Sequence, residues 1–147
     1  IVFDQASKTV IRVRYADTDQ MGVVYHANYL VWFEAGRAEY MRRLGLPYLE
    51  FEQNGLFLPV IRAVVEYKSA ARYDDEVAVF TRIKELRQTR VIFEYEVRRG
   101  EKLLARGSTE HAFTNRAGRP VALRKHSQDL WERLSRLAQA AQTDILR

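Results

Sequence analysis

One early strand, one long amphipathic helix and four consecutive strand-like segments predict an α+β fold, an antiparallel sheet wrapped around a central helix. Two observations carry this expectation. Apolar residues recur at three- and four-residue intervals up to about Leu44, then alternate from Pro59 onward. The alternating segments are separated only by short polar turns, which joins neighbouring strands antiparallel.

The first strand is expected over Val10 to Tyr15, with Ile11, Val13 and Tyr15 on one face and Arg12 and Arg14 on the other. From about Ala27 to Leu44, Leu30, Phe33, Tyr40 and Leu44 line one side of the principal helix, and Gly45 ends it. Gly36 in its middle lowers helix propensity by about 1 kcal/mol against Ala, so it marks a place where the helix lies close to the sheet. Pro47 to Gly55 reads as a loop with a short second helix. Pro59 to Lys68, Glu76 to Leu86, Arg90 to Arg99 and Lys102 to Thr114 are rich in Val, Ile, Phe, Tyr and Thr and read as four strands. Asn115 to Pro120 closes the sheet region. Ser127 then caps a C-terminal helix with Leu130, Leu134 and Leu137 on one stripe. A sheet of this kind leaves open edges, which favours pairing of two copies.

With 147 residues and 47% apolar composition, the chain supports one core and reads as a single domain over residues 1–147, ending in the C-terminal helix. No apolar run approaches the roughly 18 residues of a membrane span, and the start lacks a basic, then apolar, leader, so no integral membrane segment is expected. The absence of cysteine excludes a disulfide framework, a thiolate nucleophile and a zinc knuckle; it fits a reducing compartment, and a cytoplasmic location is expected. The 24 basic and 19 acidic side chains leave a net charge of +5. Nucleic acid as a partner finds no zinc-finger spacing, aromatic RNA-binding signature or block of five like charges, whereas a phosphate-bearing small molecule would need only two or three arginines.

The chemistry concentrates in residues 15–29, where Tyr15, Asp17, Asp19, Gly22, Tyr25 and His26 crowd a strand-to-helix junction. Amide N–H groups at a helix start are unpaired and carry partial positive charge, so a carboxylate and a histidine beside them could act on a carbonyl whose oxygen they polarise. Taken singly, Asp17 and Asp19 read equally as turn formers and His26 as a structural histidine. Glu34 and Arg37, three apart on the helix, read as a surface pair. Three scattered histidines, His26, His111 and His126, make no metal-ligand pattern, and Ser108 lies in a strand without a nucleophile elbow, so neither metal nor serine chemistry is expected. Lys84, Arg87 and Arg90 flank one strand turn, and Arg124 and Lys125 follow the last strand; they read as a solvated face that also suits phosphate.

The pattern Tyr15-x-Asp17-Thr-Asp19-x-x-Gly22-Val23-Val24-Tyr25-His26-x-x-Tyr29, followed by Trp32-Phe33-Glu34-x-x-Arg37, resembles the opening motif of the hot-dog-fold acyl-CoA thioesterases. Within them it is similar to the tol-pal-associated, YbgC-like subgroup, related to 4-hydroxybenzoyl-CoA thioesterase. The likeness is specific over residues 15–37 and architectural from there, through Tyr73-Asp74-Asp75, to about Leu123. It implies a hot-dog fold that assembles as a homodimer or homotetramer with active sites between subunits. It also implies hydrolysis of an acyl-CoA thioester without a cofactor, coenzyme A being part of the substrate. The catalytic residues it implies are Asp19, His26 and Tyr15, with Asp17 left a structural, turn-capping role. The oxyanion donor falls on the amide of His26 or its neighbours. Glu34 matches the carboxylate that another branch of the fold uses. Gly22, Val23, Tyr25 and Glu34 are expected to border the substrate, and Lys84, Arg87 and Arg90 to meet its phosphates. Acyl carrier protein presents the same thioester and is the alternative carrier. A scaffold role in envelope or lipid metabolism and a hot-dog hydratase or dehydratase are the alternative functions.

Overall fold

The computed structural model describes residue 3 and residues 5–145. Five strands, β1 (Lys8–Arg12), β2 (Val60–Tyr67), β3 (Glu76–Leu86), β4 (Arg90–Arg99) and β5 (Lys102–Ala112), form one antiparallel sheet in the order β1-β3-β4-β5-β2. Helix α1 (Asn28–Arg43) packs against its inner face. The short helices α2 (Tyr48–Gln53) and α3 (Leu123–His126) and the long α4 (Gln128–Ile145) complete the fold.

Strand alternation explains the layering. Val77, Val79, Thr81 and Ile83 of β3, and Val91, Phe93, Tyr95 and Val97 of β4, are buried toward the helix, while Lys84, Glu94 and Arg98 stand on the other face. On α1, Tyr29, Trp32, Phe33, Gly36, Arg37, Tyr40 and Met41 are buried. A Cβ on Gly36 would stand 2.8 Å from Thr81 Oγ1 and 2.8 Å from Val79 Cγ1, which is the close approach the sequence anticipates. Gly107 of β5 is tighter still, because a Cβ there would lie 2.4 Å from the Val64 carbonyl oxygen and 2.6 Å from the Phe33 ring. At the other end of the chain, Ser127 Oγ accepts the Leu130 N–H at 3.2 Å, and α4 buries Leu130 and Leu134 against β3. Arg133 fastens it to α2 through Glu50 and to the end of α1 through the Gly45 carbonyl at 2.7 Å.

Three elements differ from expectation. β1 ends at Arg12 rather than Tyr15, because the Asp17 carboxylate accepts the Arg14 N–H and guanidinium, each at 2.9 Å, and winds Tyr15–Asp17 into a 3-10 turn. The last strand ends at Ala112, and Thr114 instead bridges to Phe57 and Pro120. Helix α3 was not anticipated; at four residues it is too short to show a periodicity.

Replacing Gly36 by Ala separates two effects of opposite sign. Helix propensity favours the substitution by about 1 kcal/mol, whereas overpacking against Val79 and Thr81 costs about 1–3 kcal/mol. Urea denaturation is expected to show net destabilisation of Gly36→Ala; equal or greater stability would mean that the sheet yields to the added methyl.

Candidate active site

Residues 13–29 form a compact turn held by its own backbone. The Asp17 carbonyl accepts the Tyr25 N–H and the Asn28 side-chain N–H, each at 2.8 Å, tying the end of the 3-10 turn to the start of α1. Burial alone would raise the Asp17 carboxyl, but the bonds from Arg14 hold it below the usual carboxylate range. Between these anchors, the Asp19 N–H donates to the Val23 carbonyl at 2.9 Å and the Gly22 N–H donates back to the Asp19 carbonyl at 3.0 Å. Gly22 closes this turn with φ +79°, where a side chain is strained. The Val24 N–H donates to the Ala71 carbonyl at 2.9 Å, so the loop is docked on the segment that follows β2.

Asp19 is thereby presented with one oxygen fixed and one free. Its Oδ1 accepts the Met21 N–H at 2.8 Å, and its other oxygen has no hydrogen-bond partner among the described residues. His26 stands seven residues further on, and helix α1 starts at Asn28, nine residues on. The Asn28 and Tyr29 N–H groups donate to the carbonyls of Tyr25 and His26, while the N–H groups of His26 and Ala27 find no acceptor among the described residues. The His26 carbonyl also accepts the Tyr67 hydroxyl at 2.7 Å, and Tyr67 stands edge-on to Tyr29 at 5.1 Å. The end of β2 thus braces the helix start.

Asp19, Val23, Val24, His26, Tyr29, Tyr67, Lys68, Ser69 and Ala70 line one cavity of about 330 Å³. Of the residues singled out in the sequence, this cavity gathers Asp19, Val23 and His26. Gly22 shapes the loop, and Tyr25 packs its ring on the His26 imidazole at 4.4 Å. Tyr15 lies outside the lining, 79% exposed and edge-on to Tyr73. The structure does not bring Lys84, Arg87 and Arg90 to this cavity. Glu76 of β3 pairs with Arg12, two residues from the turn, so ten further residues of strand at about 3.3 Å each carry the β3–β4 turn to the opposite end of the sheet. There Arg87 pairs with Glu85 and Arg90 with Glu110, and Lys84 faces Glu66, Glu94 and Arg106 on the outer surface. Lys68 is the basic side chain in the lining. Tyr67, Lys68 and Ser69 were missed because their place depends on β2 returning beside the helix start, a long-range contact without local signature.

Glu34 occupies a second cavity, of about 190 Å³, with Arg37, Tyr48, Glu52, Leu56, Phe57 and Leu58. The expected surface pair is absent: Arg37 is only 9% exposed and forms no ion pair with Glu34. Beside it runs a buried polar chain, Tyr95 hydroxyl to Thr109 Oγ1 at 2.6 Å, Thr109 to His111 Nε2 at 2.8 Å and His111 Nδ1 to the Leu58 carbonyl at 3.0 Å. Burial pushes His111 down to about 4, so its ring is neutral at pH 7 with a single N–H. A carbonyl only accepts, so that proton sits on Nδ1; Nε2 then accepts from Thr109, and Thr109 in turn accepts from Tyr95.

The wrapped sheet, the central helix and the loop at its start are those of the hot-dog fold. The chain belongs to the thioesterase-like superfamily, whose family model matches residues 13–140. It is 36% identical to the putative acyl-CoA thioesterase YneP of Bacillus subtilis over 125 residues, 84% of this chain and 91% of the relative. It is 33% identical to the acyl-CoA thioesterase YbgC of Haemophilus influenzae over 126 residues, 84% and 93% of the two chains. The DHNA-CoA thioesterase of Staphylococcus aureus superposes with a TM-score of 0.86 at 34% identity, covering 93% of each chain. Among the described residues no helix is long and apolar enough to cross a membrane.

The neutral His111 makes stability depend on pH. Its folded value, about 4, lies below the unfolded 6.5, so the unfolded chain takes up the proton first as pH falls. The neutral chain's full contribution holds above about pH 6.5, and about 3 kcal/mol is lost between there and pH 4. Denaturation of wild type and His111→Asn across this range should show a flatter pH dependence in the variant; parallel curves would contradict the buried neutral state.

Proposed function

We propose that the protein is an acyl-CoA thioesterase, converting R–CO–S–CoA and water to R–COOH and CoA–SH. The observation that carries this reading is one cavity lined both by Asp19, whose carboxylate has one oxygen free, and by His26, just before a helix and with its own and the Ala27 amide lacking an acceptor among the described residues. Amides so placed stabilise negative charge as it develops on the thioester oxygen. Asp19 supplies the attacking electron pair, either from its free oxygen or through a water that it deprotonates. The tetrahedral centre then collapses, the carbon–sulfur bond breaks and the sulfur leaves as the coenzyme A thiolate, which takes up a proton to give CoA–SH; after direct attack, water hydrolyses the mixed anhydride left on Asp19 to release R–COOH and restore the carboxylate. His26 orients the substrate or water. The similarity to a putative acyl-CoA thioesterase and an acyl-CoA thioesterase supports the same reaction. The chemistry requires no cofactor, and the reading carries with it a cytoplasmic setting.

The assembly proposed with this reaction is a dimer formed at the β2 edge, the unit of any larger homotetramer. β2 ends the sheet, and Val60, Ile61 and Tyr67 on it are 48%, 47% and 49% exposed. Val31, on the outward side of α1, is 58% exposed. Antiparallel pairing of two β2 strands about a two-fold axis would cap both edges and cover these side chains. It would also set the Val60 end of one strand beside the Tyr67 end of the other, so the pantetheine arm would run along the subunit boundary past Lys68.

Thiol release from a panel of short, long and aromatic acyl-CoAs tests the reaction. Asp19→Asn is expected to lower kcat/KM by about 10²–10⁴-fold in a folded protein, and His26→Ala by less, since the backbone donors remain. A folded Asp19→Asn with full activity would overturn the assignment. Lysine at Ile61 is expected to give a monomer in sedimentation together with loss of turnover; a fully active monomer would separate the dimer from the reaction.

A further inference from the structure

The last residue of β2 reaches the start of α1 through its side chain. The Tyr67 hydroxyl donates to the His26 carbonyl at 2.7 Å, and Tyr67 and His26 both line the Asp19 cavity. The same carbonyl also receives the Tyr29 N–H, but at 3.4 Å, beyond the roughly 2.7–3.2 Å of a good N–H···O bond. The helix's own bond therefore holds this carbonyl loosely, and the phenol holds it closely. Tyr67 is itself fixed. Its ring stands edge-on to Tyr29 at 5.1 Å and 88°, and the Lys68 and Ser69 N–H groups that follow it both donate to the Leu104 carbonyl, at 2.8 and 3.0 Å. Burial pushes the Tyr67 phenol up from its ordinary value, so at neutral pH it keeps the proton that the bond to His26 needs.

We infer that Tyr67 is a positioning residue for thioester hydrolysis: by holding the His26 carbonyl, its hydroxyl sets the oxyanion donor at the other side of the same peptide unit. This rests on the acyl-CoA thioesterase reading. The peptide between His26 and Ala27 is planar and trans, so its N–H, on Ala27, points opposite to the carbonyl that Tyr67 holds. Fixing one side of the plane fixes the other. The bond also polarises: hydrogen bonds in a chain strengthen one another by about 10–30% each, so a phenol drawing on the carbonyl oxygen leaves the Ala27 N–H a stronger donor. That N–H has no acceptor among the described residues. Oxyanion binding depends on donors aimed before the reaction begins and weakens where they must reorganise. The two candidate amides differ in what holds them. The Tyr25 carbonyl, in the peptide of the His26 N–H, is held from within the turn by the Asn28 N–H at 2.9 Å, whereas the peptide of the Ala27 N–H takes its short bond from across the fold. Tyr67 is half exposed in a single copy, and the β2 pairing proposed above would cover it and shield the bond from water.

The test is Tyr67→Phe, which removes the hydroxyl and keeps the ring against Tyr29, so the protein should remain folded. A donor loosened rather than removed is expected to lower kcat about tenfold on the best acyl-CoA of the panel, with KM unchanged, because the developing oxyanion draws on the donor more than the ground-state carbonyl does. A second readout follows the carbonyl itself. In a ketone analogue of that substrate a methylene replaces the sulfur, so the carbonyl cannot be hydrolysed, and a carbon-13 label marks its C=O stretch in the infrared. Bound to wild type, this stretch is expected at lower frequency than in water; bound to Tyr67→Phe, it should return part of the way. A folded Tyr67→Phe with full kcat would overturn the positioning role and leave the thioesterase standing. A rise in KM alone would make the phenol a contact for the substrate and overturn the role as well. So would a fall in kcat with the stretch unchanged, which would place the loss outside the oxyanion donor. Absence of hydrolysis of every acyl-CoA by wild type would overturn the thioesterase reading and this one with it.

Discussion

Helix α1 lies against the sheet through a ring stack, Phe33 on Tyr95 at 4.2 Å and 4° between planes, and both candidate cavities depend on it. The stack fits because Gly107 on the neighbouring strand has no side chain: a methyl there would collide with both the Phe33 ring and the Val64 carbonyl. With Gly36 giving the same clearance one turn further along, the helix comes to rest at a single height and roll above β3, β4 and β5. Its first turn then meets the end of β2, and its middle places Glu34 and Arg37 beside Leu58. Tyr95 serves twice, since its ring carries the helix while its hydroxyl begins the chain through Thr109 and His111 to the Leu58 carbonyl.

What the stack does for the helix, Asp17 does for the loop before it. One residue uses its carboxylate to fold the preceding turn onto Arg14 and its carbonyl to receive Tyr25 and Asn28. With the Tyr25, Asn28 and Tyr29 amides satisfied, those of His26 and Ala27 between them are left without an acceptor among the described residues. The same economy holds for Asp19, where Met21 engages one oxygen and the other stays free. The carboxylate and the amides to which the proposed reaction assigns attack and oxyanion binding are thus atoms left unpaired within a densely hydrogen-bonded segment. Such a segment is rigid, and rigidity matters because a donor that must reorganise during the reaction contributes less to its transition state.

The sequence disclosed local features well. Alternation in Val91, Phe93, Tyr95 and Val97 gave the strand and its inward face, the Ser127 cap gave the last helix, and Gly36 gave the close contact. The junction at residues 15–29 was legible because its acids, glycine and histidine are contiguous, and contiguity survives folding. Long-range relations were not legible. Arg87 and Arg90 stand at the far end of an 11-residue strand from the Asp19 loop, and only the register of β3 reveals it. Glu34 and Arg37 sit three apart, the spacing of a surface pair, yet the ring stack rolls Arg37 inward and leaves Glu34 outside. Tyr67 and Lys68 belong to the cavity through tertiary pairing alone.

The interior of this fold is not uniformly economical. Leaving a buried polar group without a partner costs about 1–3 kcal/mol, a large fraction of the roughly 5–15 kcal/mol that holds a domain together. Arg37 Nε and the Tyr48 hydroxyl both border the Arg37 cavity, and Thr81 Oγ1, also without a partner among the described residues, faces Gly36 on the same helix. Apolar side chains of similar volume would fill that space more favourably, since replacing buried polar groups by well-packed hydrophobes is often neutral or stabilising. Phe at position 48 would need no backbone change at all. Such costs cluster where structure is kept for a purpose other than stability. At the middle of α1 the fold thus carries a stability cost that packing alone does not require.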